Sequence, residues 1–309
     1  MSPVLAKVLM AEFVLGLISN GLVLWVFCFR IPSWNTSTLY LFNVSLADFL
    51  LIVCLPFRAL YFHQGKDWHL GDIPCRMMLF MVSLNRAGSI FFLTVVVGDR
   101  YFKVVHPYNK INLMPTIPWG VGFAFLMWSA TLGSTTYILT QSHLQTDEII
   151  NKTLCESFKL NEGDSAFNTW HNVFFVSEFF IPLVIISLCT SSIIRHLRRH
   201  KDKQGKIQRT IRSMIFLTFV FIICFLPSTV ATIMVTVAKN LRHCELYEIS
   251  GLVFGASLSL TYLNSVLNPL VIYISSPMVQ AVLNIHNIYK CVRKKSEEAH
   301  ITVQQITSK

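Results

Sequence analysis

Residues 75–101 read CRMMLFMVSLNRAGSIFFLTVVVGDRY. Cys75 stands at one end and the triplet Asp99-Arg100-Tyr101 at the other. Cys75 lies 25 residues before Arg100, about seven helical turns, so one helix carries both. At about 1.5 Å per residue that helix outreaches the roughly 30 Å hydrocarbon core of a bilayer. A charged pair at a helix end is also what simple snorkelling to the interface produces. The matched cysteine at the far end argues for more than that.

The rest of the chain agrees with a membrane setting. Of 309 residues, 53% are hydrophobic and only 14% charged, and mean hydropathy is +0.54. Soluble domains carry about 25% charged residues, so this chain has too little polar surface to face water all round. Seven apolar segments can be read: Val4–Phe29, Thr38–Phe62, Cys75–Val104, Ile117–Thr140, His171–Ile194, Ile211–Ala238 and Ile249–Ser275. In lipid each segment must satisfy its own backbone hydrogen bonds, which favours helices. They are too long and too uniformly apolar for barrel strands of about 10 alternating residues. The reading is an all-α membrane protein, a seven-helix bundle over residues 1–275 with a tail over 276–309.

Loop charge orients the bundle. Between spans five and six stand Arg195, Arg198, Arg199, Lys201, Lys203, Lys206, Arg209 and Arg212. Between three and four stand Arg100, Lys103 and Lys110. The loop between four and five is acidic instead, with Asp147, Glu148, Glu156, Glu162 and Asp164 against Lys152 and Lys159. The N-terminus is therefore expected outside and the tail in the cytoplasm, at the plasma membrane. The net charge of +10 is a cytoplasmic lining, and no nucleic-acid partner is expected. Residues 1–5 have no basic stretch or small-residue cleavage site, so no cleavable signal peptide is expected. The cysteines show no CxxC or Cys/His ligand spacing, which speaks against a metal–thiolate site. After Ser276-Pro277, Val279, Val282, Leu283, Ile285 and Ile288 fall at helical spacing. That predicts an amphipathic helix on the membrane surface over Val279–Val292, in contact with lipid. Cys291 at its end is either palmitoylated or a free cytosolic thiol.

The triplet Asp99-Arg100-Tyr101 resembles the DRY motif of rhodopsin-like G-protein-coupled receptors. Six further signatures fall in order on their spans: Asn20, Leu46-Ala47-Asp48, Trp128, Pro182, Cys224-Phe225-Leu226-Pro227 and Asn268-Pro269. The resemblance covers nearly the whole chain. It implies a disulfide from Cys75 to the second outer loop, with Cys155 its candidate partner. It implies coupling to a heterotrimeric G protein of the inhibitory class through Asp99, Arg100 and Tyr101, and no enzymatic activity. It implies an allosteric sodium ion at Asp48, with Ser89, Asn264, Ser265 and Asn268 as neighbours. A mid-membrane carboxylate is costly and marks a functional site by default; the plainer alternative is a protonated structural Asp. Pro182, Ile90 and Phe221 match a packed trio that rearranges on activation, and Pro227 matches the kink of span six. The chain departs from the family in three places. Tyr273 stands one place late after Asn268-Pro269, Phe225 replaces the usual Trp, and Thr190 replaces a Tyr.

Arg86 sits four turns from Arg100 on the same helix, deep in the bundle. A guanidinium there matches a carboxylate bidentately, so the expected ligand is acidic. The alternative is an internal salt bridge, for example with Glu178. The context Ser83–Ser89, with Gly71–Cys75 before it, resembles receptors for hydroxycarboxylic acids and oxidised eicosanoids. By that resemblance Arg86 anchors the carboxylate, Tyr262, Ser157 and Phe158 contact the ligand, and Arg58 is a second anchor. The loop Asn151–Phe158, Leu260–Leu263 and Asn268-Pro269 look most like receptors for 12-(S)-hydroxyeicosatetraenoic acid. Arg58 and Asn85–Ser89 look like lactate-type receptors of short hydroxy acids. Thr232, where an Arg is frequent in that second group, favours the fatty acid, and with Val230 and Met234 implies an apolar upper pocket. Asn151-Lys152-Thr153 is a glycosylation acceptor in an outer loop. Two other classes fit poorly: a transporter would need broken helices around a polar midplane path, and a hydrolase would need a nucleophile beside His171 and Glu178.

Overall fold

The computed structural model describes residues 2–106, 116–147, 151–156, 166–199, 204–241, 244–276 and 279–282. Among the described residues there are seven long helices: α1 Ser2–Phe29, α2 Thr36–His63, α3 Asp72–Val105, α4 Thr116–Thr135, α5 Ala166–Arg199, α6 Gln204–Asn240 and α7 Cys244–Ser275. A four-residue helix, Tyr137–Thr140, prolongs α4. By length and composition, α1, α2, α3, α5, α6 and α7 can cross a membrane. The 20 residues of α4 span about 30 Å, but Trp119, Trp128 and three glycines dilute its hydropathy.

Several helices run past their apolar segments. α5 begins at Ala166 and ends at Arg199, and α6 begins at Gln204, although lipid-compatible sequence covers only His171–Ile194 and Ile211–Ala238. Hydropathy marks where lipid begins. It does not mark where a helix must stop, and polar residues continue a helix into water.

The helices close into a ring. α1 packs on α2 and α7, α3 on α2, α4 and α5, and α6 between α5 and α7. The inward stripe of α6 is Met214, Leu217, Phe221, Cys224, Ser228, Ala231, Val235 and Ala238, a spacing of three and four that keeps one face on its neighbours. Ile18, Phe125, Ile181, Leu188 and Phe219 are exposed on the outer surface, as lipid-facing residues should be.

A short hairpin covers the bundle at the Cys75 end. β1 Leu144–Asp147 pairs antiparallel with β2 Lys152–Cys155, in the register Leu144↔Cys155. Asn151 at its turn has φ 48°, a left-handed conformation that Asn tolerates. Cys155 is disulfide-bonded to Cys75, with Cα atoms 5.9 Å apart. The α2–α3 loop is laced to the same strand. Trp68 N donates to Thr153 O at 2.8 Å, and Thr153 N donates to Asp67 Oδ1 at 3.1 Å. Lys152 Nζ donates to Gly65 O at 2.9 Å. Of the expected surface helix after α7, residues 279–282 are helical and Val279 is buried. Its remainder, with Cys291, lies outside the described residues.

Candidate functional site

A cavity of about 370 Å³ lies under the hairpin, among α2, α3, α5, α6 and α7. Its cations are Arg58, Lys66 and Arg86, and Glu156, Thr261 and Tyr262 also line it. Much of the remaining wall is apolar, including Leu79, Val82, Phe175, Val235, Phe254 and Leu258. A small apolar chamber with a few convergent polar groups is the usual form of a small-molecule site.

Arg86 forms part of the wall and is buried. Its Nη1 donates to Ser228 Oγ at 2.8 Å and its Nη2 to Thr229 Oγ1 at 2.9 Å, both on α6. Its Nε stands 3.6 Å from Glu178 Oε1 on α5. The ring of Phe175 lies under the guanidinium, 3.8 Å from centroid to Cζ, and that of Phe225 lies at 5.4 Å. Arg86 thus lines the cavity and also has an internal carboxylate, Glu178, within ion-pair distance.

The remaining charges are uneven. Lys66 pairs with Glu156 at 3.2 Å. Arg58, also buried, forms no ion pair among the described residues, and its Nε and Nη1 have no hydrogen-bond partner. Tyr262 Oη is likewise buried and unpaired. Arg58 is flanked by the rings of Tyr61 and Phe62, at 5.5 and 5.1 Å, which support a cation without neutralising it.

Deeper in the bundle, Asp48 gathers four donors. Its Oδ1 accepts from Asn85 Nδ2 at 3.0 Å, Ser89 Oγ at 3.1 Å and Ser265 Oγ at 2.8 Å. Its Oδ2 accepts from Asn268 Nδ2 at 2.7 Å. Four donors suit a carboxylate better than a carboxylic acid, which would itself need an acceptor. Both amide atoms of Asn264 and Oδ1 of Asn268 are buried without a partner. Free amide oxygens beside a carboxylate and hydroxyls make a donor set that fits a hard cation.

At the far end the charged triplet splits its partners. Asp99 accepts from Thr36 Oγ1 at 3.0 Å, from Ser37 Oγ and from Lys103 Nζ at 2.7 Å. It is thereby pinned to the start of α2. Arg100 Nη1 instead reaches Ser213 Oγ on α6 at 3.3 Å, and Tyr101 Oη meets His106 Nε2 at 3.1 Å. Between the two ends Pro182, Ile90, Phe221 and Phe225 are all buried. Phe179 stacks on Phe221 at 5.5 Å and 7°, a contact the sequence motifs do not mark. Thr190 bonds Thr218 at 3.3 Å, giving α5 and α6 a polar link. Trp128 Nε1 donates to Asn43 Oδ1 at 2.7 Å. Tyr273, one place late, is 37% exposed.

The upper pocket differs from expectation. Thr232 is buried but donates to Ser228 O at 2.8 Å. Val230 is 42% exposed on the outer face, and neither it nor Met234 lines the cavity. The rotation of α6 that turns Ser228 and Val235 inward turns Val230 out. Ser157 and Phe158 lie outside the described residues. Asn151 is exposed at the hairpin turn. The sequence reading missed Ser228, Thr229, Phe175, Asn85 and the Lys66–Glu156 pair. It also missed Glu12, buried in α1 with Oε2 unpaired; a lone carboxylate inside an apolar span was the available signal.

The family model described as 7 transmembrane receptor (rhodopsin family) matches residues 19–273. Hydroxycarboxylic acid receptor 2 of Rattus norvegicus is 43% identical over 297 residues, covering 95% of this chain and 80% of the relative. Hydroxycarboxylic acid receptor 1 of Homo sapiens is 40% identical over 309 residues, covering 98% and 85%. The 12-(S)-hydroxy-5,8,10,14-eicosatetraenoic acid receptor of Mus musculus is 35% identical over 271 residues, covering 86% and 83%. Identity is thus higher to the hydroxycarboxylic acid receptors than to the eicosanoid receptor. That reverses the order expected from residues 151–158 and 260–269.

Proposed function

The chain belongs to the rhodopsin family of seven-transmembrane receptors, and from that premise we propose that it is a receptor for a small hydroxycarboxylic acid. Among the described residues three cations line the cavity, and two carboxylates neutralise two of them. The single observation that carries the reading is the third cation: Arg58 is buried beside the cavity and forms no ion pair among the described residues. A chamber with one surplus positive charge suits one carboxylate. An unpaired guanidinium in a dry site is costly unless an anion completes it. Arg86 and Arg58 are the two anchors, and Tyr262 places a hydroxyl on the cavity wall for the ligand's own hydroxyl group. A volume near the low end of small-molecule pockets favours a short acid such as lactate.

The apolar wall of Leu79, Val82, Leu252, Phe254 and Leu258 supports a second reading, an acidic oxidised fatty acid such as 12-(S)-hydroxyeicosatetraenoic acid. Its acyl chain would lie along that wall.

The disulfide-bonded end faces outside the cell, and the basic end faces an inhibitory heterotrimeric G protein that Arg100 engages. Asp48, Ser89, Asn264, Ser265 and Asn268 would hold a sodium ion, which would supply positive charge between α2, α3 and α7. Asn151 at its exposed turn is open to glycosylation.

The test follows inhibition of cyclic AMP in cells expressing the parent, Arg86→Ala or Arg58→Gln, against lactate and 12-(S)-hydroxyeicosatetraenoic acid. Lactate is expected to act on the parent, and each variant to lose on the order of 100-fold in potency, as for a charge-assisted contact worth about 1.5–3 kcal/mol. A response to the long acid alone selects the second reading. Unchanged potency in both variants, at equal surface expression, removes the carboxylate-anchor argument.

A further inference from the structure

Arg86 does more than line the cavity, because both of its terminal nitrogens are spent on α6. Ser228 Oγ donates its own proton to Phe225 O at 3.0 Å, and Thr229 Oγ1 donates to the same carbonyl at 2.9 Å. With their protons turned to the helix backbone, the two oxygens present lone pairs to Arg86 at 2.8 and 2.9 Å. These residues follow Pro227 directly. Proline removes one helical hydrogen bond, and hydroxyls that bond back to the preceding turn bend a helix further. Both features act on the turn of α6 that ends at Pro227, directly before the two residues that Arg86 grips. Thr261 on α7 joins the same knot, with Oγ1 at 3.3 Å from both Cys224 O and Ser228 Oγ.

Both terminal nitrogens are engaged by neutral hydroxyls, while Nε stands within ion-pair distance of Glu178 at 3.6 Å without a hydrogen bond. A ligand carboxylate must displace something. A guanidinium gains direct charge–charge attraction from a carboxylate that a neutral hydroxyl cannot supply, so an entering carboxylate outcompetes the hydroxyls more readily than it outcompetes Glu178. Released, Ser228 and Thr229 keep their bonds to Phe225 O, so α6 gives up its tie to α3 without leaving an unpaired donor.

We propose that Ser228 and Thr229 are positioning residues that form a latch, through which Arg86 holds α6 at its bend, and that an acid ligand switches the receptor by drawing the guanidinium off these two hydroxyls. The proposal rests on the receptor reading for its trigger, but the latch itself can be opened without ligand.

The experiment uses the full chain in membranes and measures guanine nucleotide exchange on added heterotrimeric G proteins of each class, at matched amounts of folded receptor. Ser228→Ala combined with Thr229→Val removes both acceptors with little change of volume. Ligand-free exchange is expected to rise about fivefold, somewhat less than the tenfold that one net hydrogen bond of about 1.4 kcal/mol represents. The further increment with lactate or 12-(S)-hydroxyeicosatetraenoic acid should shrink. Thr229→Ser keeps the hydroxyl and should match the parent. Ligand-free exchange at or below the parent level overturns the latch. If the double variant does not accumulate, Thr229→Val alone decides: a rise of about twofold supports the latch and no rise overturns it. If neither acid activates the parent while the variants raise ligand-free exchange, the ligand reading fails and the latch stands. If the acids activate the parent and ligand-free exchange is unmoved, the latch fails alone.

Discussion

At the scale of single residues, Glu178 sets the terms on which Arg86 meets a ligand. A carboxylate bound at Arg86 lies near Glu178, and two like charges about 6 Å apart repel by about 1–3 kcal/mol at an effective dielectric near 20. Glu178→Gln should therefore raise the potency of an activating acid by about tenfold in a concentration–response curve. The same change leaves Arg86 buried with hydroxyls alone, and breaking a buried pair from one side is destabilising. The ligand-free unfolding midpoint should fall and should recover when the acid is added. A variant with parental potency would mean that the ligand carboxylate sits at Arg58 instead. Arg86 was legible in the sequence because a lone guanidinium in an apolar span is costly. Ser228 and Thr229 were not, because hydroxyls in a membrane helix usually bond their own backbone, as Thr131, Thr135 and Thr236 do here.

At the scale of elements, the hairpin β1–β2 depends on crosslinks. It is tied by Cys75–Cys155 and by the bonds of Trp68, Asp67 and Lys152 to the strand or the neighbouring loop. Each helix satisfies its own backbone in lipid and does not need the hairpin to form. Cys155→Ser should therefore leave insertion intact while weakening the response to acid by about tenfold or more, because Glu156 and Lys66 at the cavity rim lose their fixed frame. Surface labelling beside a concentration–response curve separates the two effects; full retention of potency would remove the hairpin from the ligand site. The strands were not legible in the sequence. Four-residue strands carry no reliable alternation, and their pairing is imposed by the disulfide and by the α2–α3 loop. The helices were legible to within a few residues at their lipid limits, and only their polar extensions, such as Arg195–Arg199 and Gln204–Thr210, were missed.

At the scale of the whole molecule, the Asp48 cluster joins three helices through one carboxylate. If sodium occupies it, replacing a large inert cation by sodium at about 150 mM should lower the potency of an activating acid several-fold in the parent. Asp48→Asn should abolish that dependence, read by nucleotide exchange in membranes. Equal sodium sensitivity in parent and variant would place the ion elsewhere. The seven spans and the order of the motifs were determined by the sequence alone, and the bridge from Cys75 to Cys155 was implied by the family resemblance of those motifs. Lipid imposes a rule that runs along one dimension: about 20 apolar residues to cross, basic residues where the chain turns back in the cytoplasm. Such a rule can be read one residue after another. The pairing of Arg86 with Ser228, 142 residues away, the approach of Glu178 to its Nε and the lack of an ion pair for Arg58 among the described residues were decided only by the tertiary structure. Each depends on how far every helix is rotated about its own axis, and that rotation is set by the packing of all seven together.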